Sequence, residues 1–186
     1  MKAILEDEGF LTTQRTACRN TLPYAYATWE LQNIGIVSSG NLGAMLYNFM
    51  HIKHPHSNIV LYARNKTKAA SITDSVCDPV EDLLIEYDVI FTTTSSASPI
   101  IHNITQGTNK AIIALGSDDE HKSEISPNLF EKADMIIVDS KLQAAKLGDR
   151  AWKGFKIRYS CRRQNNHRRF VWHWRSRCCY GRICIV

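Results

Sequence analysis

No stretch of this 186-residue chain offers the ~18–20 consecutive apolar residues that a membrane span needs, so no membrane is expected as a partner. The start, MKAILEDEGFL, has no basic region leading into an apolar run. Its acidic residues at positions 6 to 8 exclude a secretory signal there, and a cytoplasmic location is the expectation. Disulfides are not expected in that setting. Glycine (9) and proline (5) are too few for a collagenous or low-complexity chain. The sharpest absence is local: residues 151–186 contain no Asp or Glu at all, against ten Lys and Arg. Residues 1–150 are the reverse, with 13 basic and 18 acidic residues. Four of the six cysteines and three of the four tryptophans also fall after residue 150. Two compositions are joined end to end, and each needs its own explanation.

Before residue 150 the pattern is that of a folded domain, with apolar content (44% over the whole chain) too high for a disordered one. Residues 11–31 read as a helix, capped at Thr12 or Thr13 and interrupted at Pro23. NIGIV (33–37) suits a buried strand, and AMLYNFMHI (44–52) a helix. NIVLYA (58–63), DVIFTTT (88–94), KAIIALG (110–116) and DMIIVD (134–139) read as further strands. Helices are expected over 78–87, with Asp78 as cap and Pro79 leading, over 127–132, and over 140–147. Strands alternate with helices, and the strands are rich in Ile and Val without polar alternation. That predicts an α/β fold with a doubly wound, Rossmann-like parallel sheet covered on both faces.

The strand–turn–helix at 33–52 stands where such a fold holds a dinucleotide. Ser38, Gly40 and Gly43 occupy the spacing of the G-x-G-x-x-G/A fingerprint, with Ser38 replacing the glycine of the tight turn. Gly40 lets backbone approach a pyrophosphate, Gly43 permits close helix–strand packing, and amides at the helix start would hold the phosphates. The same residues also read as a plain strand–helix turn. At the end of the second strand an acidic residue would hold the ribose of NAD. Arg64 stands there instead, which suits the 2′-phosphate of NADP, with Lys66 and Lys68 nearby.

Five strings, in order and in spacing, resemble the ornithine cyclodeaminase/mu-crystallin family. DEGFLTTQRTAC (7–18) resembles its D-x-x-x-LT-x-x-RTAA segment, and IGIVSSGNLGA its IGIIGTGxQA loop. DVIFTTTSSASPII resembles its DIVVTATPSREPL, ALGSDDEHKSEI its AVGADxPGKxEL, and KADMIIVDSKLQAAKLGD its ADxVVVDxxEQALxxGE. The match covers about residues 6–149. The resemblance implies an NAD(P)-dependent enzyme that converts L-ornithine to L-proline with release of ammonia. Relatives that reduce cyclic ketimines with NADPH or dehydrogenate amino acids are the alternative. A further alternative is a non-catalytic cofactor-binding fragment or pseudogene product. The family is homodimeric and acts on small amino acids or imines.

By the same resemblance Arg15 would hold the substrate carboxylate, and Thr16 would touch a cofactor phosphate. Gly40, Asn41 and Gly43 would line the pyrophosphate, with Thr92 and Thr94 beside the cofactor crevice. Gly116 and Lys122 would border the nicotinamide, and Asp118 aligns with the catalytic aspartate. Without the resemblance, Arg15 reads equally as a helix-surface arginine and Asp118 as part of an acidic surface turn. Thr92 and Thr94 read as β-favouring residues at a strand end.

Three departures lead to the expectation of a truncated member with impaired activity and weak stability. The family carries a substrate and dimer domain before the RTA segment, which would leave residues 1–32 as a remnant linker helix and 33–149 as the cofactor domain. Only 21 residues separate Lys66 from Asp88, enough for one helix and a loop where a full unit holds helix, strand and helix, so a deleted piece is expected. The tail, 150–186, matches nothing in the family. Shifted by one base, Trp172 with His173 and Trp174 with Arg175 each give glycine whatever codons are used. With suitable codons the shifted frame from Arg169 reads D-L-C-G-I-G-D-R-D-A-A, similar to the family's closing D-x-x-G-x-x-x-x-D-A. A disordered frameshift product is therefore the expectation for 150–186. The same tail, with Trp152, Trp172 and Trp174 among arginines, is the basis of an alternative nucleic-acid-binding reading. The main expectation is no nucleic acid. No metal is expected either, since adjacent Cys178 and Cys179 are poorly placed to ligate one zinc ion.

Overall fold

The computed structural model describes residues 7–20, 32–104, 110–117, 119, 121–133, 136–138 and 183–185. The chain divides into two compact units, Met1–Thr93 and Thr94–Val186.

The first unit is built around NIGIV, whose four residues after Asn33 are all buried. A strand with both faces covered must sit inside a sheet, and this one does. β1 (Asn33–Val37) pairs in parallel with β2 (Asn58–Tyr62) on one side and β3 (Val89–Thr92) on the other. Ile34 faces Ile59 and Val89 across the two ladders. The β1–β2 crossover is α2 (Asn41–Lys53), which buries Gly43, Leu46 and Met50. Ahead of it, α1 (Phe10–Asn20) packs against α2 and buries Ala17 completely. α1 starts earlier than expected, because Asp7 and not Thr12 or Thr13 caps it. Its carboxylate accepts from Gly9 N at 3.2 Å and Leu11 N at 2.6 Å, while Thr13 Oγ1 is spent on the Gly9 carbonyl. The expected extension of this helix to residue 31 and the kink at Pro23 lie outside the described residues.

The segment between β2 and β3 corrects the expectation of one helix and a loop. It holds α3 (Lys66–Ala70), a single parallel bridge between Val76 and Leu61, and α4 (Val80–Glu86). Leu61 N donates to Ser75 O and Cys77 N to Leu61 O, both at 3.0 Å. Helix, strand and helix are therefore all present, with the strand reduced to one residue. Counting that bridge, the order across the sheet is Val76, β2, β1, β3, which is the order of a dinucleotide-binding half-fold. Pro79, not Asp78, stands at the N-cap of α4, and Asp78 pairs with Lys66 instead. α4 lies close on β1: a Cβ on Gly35 would come within 2.7 Å of Leu83 Cδ2.

The second unit contains β4 (Ala111–Ala114), α5 (Pro127–Lys132), β5 (Ile136–Val138) and β6 (Ile183–Ile185). Ile101, Ile112, Ile125, Leu129 and Phe130 are buried here, and Ile101 bridges Ile125. Ser126 precedes Pro127, the residue type suited to the first helical turn. β6 runs antiparallel between β4 and β5. Of the tail expected to be disordered, these three residues are described, and they form a strand. The expected helix over 140–147 lies outside the described residues. Among the described residues no helix is long and apolar enough to cross a membrane.

Candidate cofactor site

β1 leads to β2 on one side and neighbours β3 on the other, so the chain reverses its direction of winding at β1. Such a switch point leaves a crevice beyond the carboxyl ends of the strands. The β1–α2 loop occupies it. Ser38 N donates to the Tyr62 carbonyl at 2.9 Å, tying the loop to the end of β2. Ser38 itself sits at φ +148, and its Oγ accepts from Gly40 N at 3.0 Å. Gly40 is the N-cap of α2 with extended φ/ψ and no side chain to cap the helix. The first-turn amides of α2, on Asn41, Leu42 and Gly43, have no intrahelical acceptor and carry the positive end of a 13-residue helix.

Gly43 is where the loop is tightest. A Cβ there would lie 2.5 Å from the Ser38 carbonyl oxygen and 3.2 Å from Thr93 Oγ1. Thr93 follows β3 and anchors it by donating its N–H to the Val37 carbonyl at 3.1 Å. Its hydroxyl is buried and has no partner among the described residues. An orphaned hydroxyl beside a glycine that tolerates no Cβ, at the start of an uncapped helix, fits a phosphate group. At the end of β2, Arg64 is exposed. Lys66 is tied to Asp78, whose hydrogen bond and charge raise its pKa. Lys68 donates its backbone N–H to Asn65, the cap of α3, at 2.9 Å.

The other expected residues fall as follows. Thr16 is half-buried on α1, and Arg15 is exposed there, lining an open hollow with Leu11, Thr12, Gln14 and Cys18. Thr92 is fully buried, so it is Thr93, overlooked in the sequence, that carries the unpartnered hydroxyl. Asp118 lies outside the described residues. Thr94 and Gly116, expected near the cofactor, are joined in the second unit by a residue that sequence reasoning passed over, Glu124. This carboxylate is fully buried. Its Oε1 accepts from Thr94 N at 2.6 Å and Thr94 Oγ1 at 2.8 Å, and its Oε2 from Gly116 N at 3.0 Å. A Cβ on Gly116 would collide with the Thr94 backbone. Ser117 Oγ donates to the Lys122 carbonyl at 3.1 Å. The signal for Glu124 was present, as the glutamate of the SEI string that matched the family's xEL.

No protein-family model matches the chain. An uncharacterized cyclodeaminase of Sinorhizobium fredii is 24% identical over 160 residues, which are 80% of this chain and 48% of that protein. The resemblance to the ornithine cyclodeaminase/mu-crystallin family is borne out. The chain spans about half the length of the curated relatives it matches. Two solved structures carry the same fold. An archaeal alanine dehydrogenase dimer with bound NAD superposes with a TM-score of 0.64 at 22% identity, over 76% of this chain and 47% of that one. A lysine cyclodeaminase, solved for its recognition of L-lysine, L-ornithine and L-2,4-diaminobutyric acid, gives 0.62 at 21%, over 78% and 46%. The Rossmann-like α/β fold expected from the strand pattern is thus the fold that the chain shares with these two structures.

Proposed function

We propose that this chain carries the dinucleotide-binding part of a cyclodeaminase-type enzyme acting on a small amino acid, with L-ornithine to L-proline as the reaction. One observation carries the cofactor reading: the buried, unpartnered Thr93 hydroxyl beside Gly43, where a side chain has no room. When bound there, a nicotinamide dinucleotide would supply the redox chemistry at the substrate's α-carbon. The chain's own residues then bind and orient. The α2 amides and the Thr93 hydroxyl hold the pyrophosphate. Gly40 lets it approach the backbone, and Gly43 lets α2 pack closely on the end of β1. Arg15 offers a guanidinium for a carboxylate, Asp118 a carboxylate for proton transfer at an amine. Glu124 fixes Thr94 and Gly116, and so holds the strand end that leads into Asp118.

Arg64 favours a second reading of the same site, an NADPH-dependent imine reductase. No carboxylate stands at that position to compete for the ribose, and a guanidinium matches a 2′-phosphate. Calorimetric titration of the full chain with NADPH and NADH tests both readings. Binding of either nucleotide supports the site, and at least tenfold tighter NADPH that is lost in Arg64→Ala supports the second. No binding of either at millimolar concentration would sink the cofactor reading. Ammonia release from ornithine, against NADPH consumption with a cyclic imine, then separates the two reactions.

A further inference from the structure

The fingerprint places glycine at the tight turn because the backbone there needs a conformation that side chains resist. This chain places Ser38 at that turn and keeps the conformation, at φ +148. A serine held in such a region must gain something from its surroundings to remain there. What it gains is local. Its Oγ accepts from Gly40 N at 3.0 Å, and a Cβ on Gly40 would meet only this same Oγ, at 3.3 Å. The hydroxyl therefore lies over Gly40, on the residue whose bareness admits a pyrophosphate, and occupies an amide at the mouth of α2.

We infer that Ser38 is a built-in competitor of the cofactor's pyrophosphate and sets the affinity of this loop. The inference rests on the cofactor reading above. An N–H gives one good hydrogen bond at a time, so a phosphate oxygen that approaches Gly40 must displace the serine hydroxyl or settle for a poorer contact. A glycine at position 38 would leave both the amide and the space above Gly40 free. Ser38 thus weakens dinucleotide binding while its hydroxyl ties the loop to the start of α2.

Two variants of the full chain separate hydroxyl from backbone. Ser38→Ala removes the hydroxyl and keeps the Cβ; Ser38→Gly removes both. NADPH, NADH and inorganic pyrophosphate are titrated calorimetrically, and the melting temperature of the ligand-free chain is recorded alongside. Ser38→Ala is expected to tighten dinucleotide binding by roughly 3- to 10-fold, the worth of one recovered hydrogen bond, without raising the melting temperature. Ser38→Gly is expected to bind at least as tightly and to melt higher. Should Ser38→Ala fail to fold, the tightening in Ser38→Gly carries the test. Equal or weaker binding in a folded variant, with the parent chain still binding, overturns this inference alone and makes the hydroxyl a bystander or a ligand. Absence of binding in the parent and in both variants removes the cofactor reading, and this inference with it.

Discussion

Two residues do work in this fold that their neighbours cannot take over. Gly43 has backbone on one side and the Thr93 hydroxyl on the other, and the Ser38 carbonyl, 2.5 Å from any added Cβ, cannot swing away like a side chain. Gly43→Ala is expected to destabilise the chain by roughly 1–3 kcal/mol, as other overpacked sites do. It should also cost at least tenfold in dinucleotide affinity, read by urea unfolding and calorimetry. A variant with unchanged binding would show that α2 need not lie so close to β1. Glu124 is the opposite case, a buried acid that is fully used. Glu124→Gln replaces one accepting oxygen with an amide donor, which must then face either the two Thr94 donors or the Gly116 amide. An unpaired buried donor costs about 1–3 kcal/mol, and that loss should appear in the urea midpoint. Equal stability of parent and variant would show that the fold does not depend on both carboxylate oxygens accepting from Thr94 and Gly116. Gly43 was legible in the sequence because a loop motif is local. Glu124 was not legible from composition, since Thr94 lies 30 residues away and only folding joins them.

At the scale of the element, the strands were legible because apolar runs such as NIGIV and AIIA are short, bounded by polar turns and buried on both faces. Pro127–Lys132 was legible from the serine–proline pair at its start. The Val76 bridge was not, because one residue has no periodicity to read. Helix ends were the weakest points, as the Asp7 cap and the Pro79 N-cap show. The C-terminal end of α2 carries a further consequence. His54 caps it, donating its backbone N–H to Met50 O at 2.8 Å, while its Nε2 is buried without a partner among the described residues. Burial first, and the neighbouring Lys53 charge second, hold its pKa below the ordinary value. The folded state therefore resists a proton that the unfolded chain takes up near pH ~6.5. Stability is unaffected at higher pH and falls as the pH drops below that point. The urea midpoint should decline between pH 7.5 and 5.5, and His54→Gln should flatten that part of the decline. An identical slope in the variant would assign the acid sensitivity to other groups.

At the scale of the whole molecule, the question is what the basic tail does. Composition set residues 151–186 apart, with no acidic residue to balance ten basic ones, and suggested a segment outside the fold. Yet Ile183–Ile185 stands between β4 and β5, with Cys184 opposite Ile113 on one side and Ile137 on the other. Such pairing is invisible in sequence: β4 and β6 are far apart along the chain, and ICI carries no alternation that would fix a register. An antiparallel strand in this place supplies hydrogen-bond partners to two strands at once. Removing it would leave two bare strand edges, each a template for self-association. Cys184→Pro tests this directly, because proline has no N–H for the ladder and is excluded from the middle of a sheet. Amides of Ala111–Ala114 and Ile136–Val138 are expected to lose hydrogen-exchange protection in the variant, and its solutions to scatter more light on warming. If those amides exchange at the same rate in parent and variant, β6 contributes nothing to the second unit. In that case the break in composition near residue 150 is also the end of the fold.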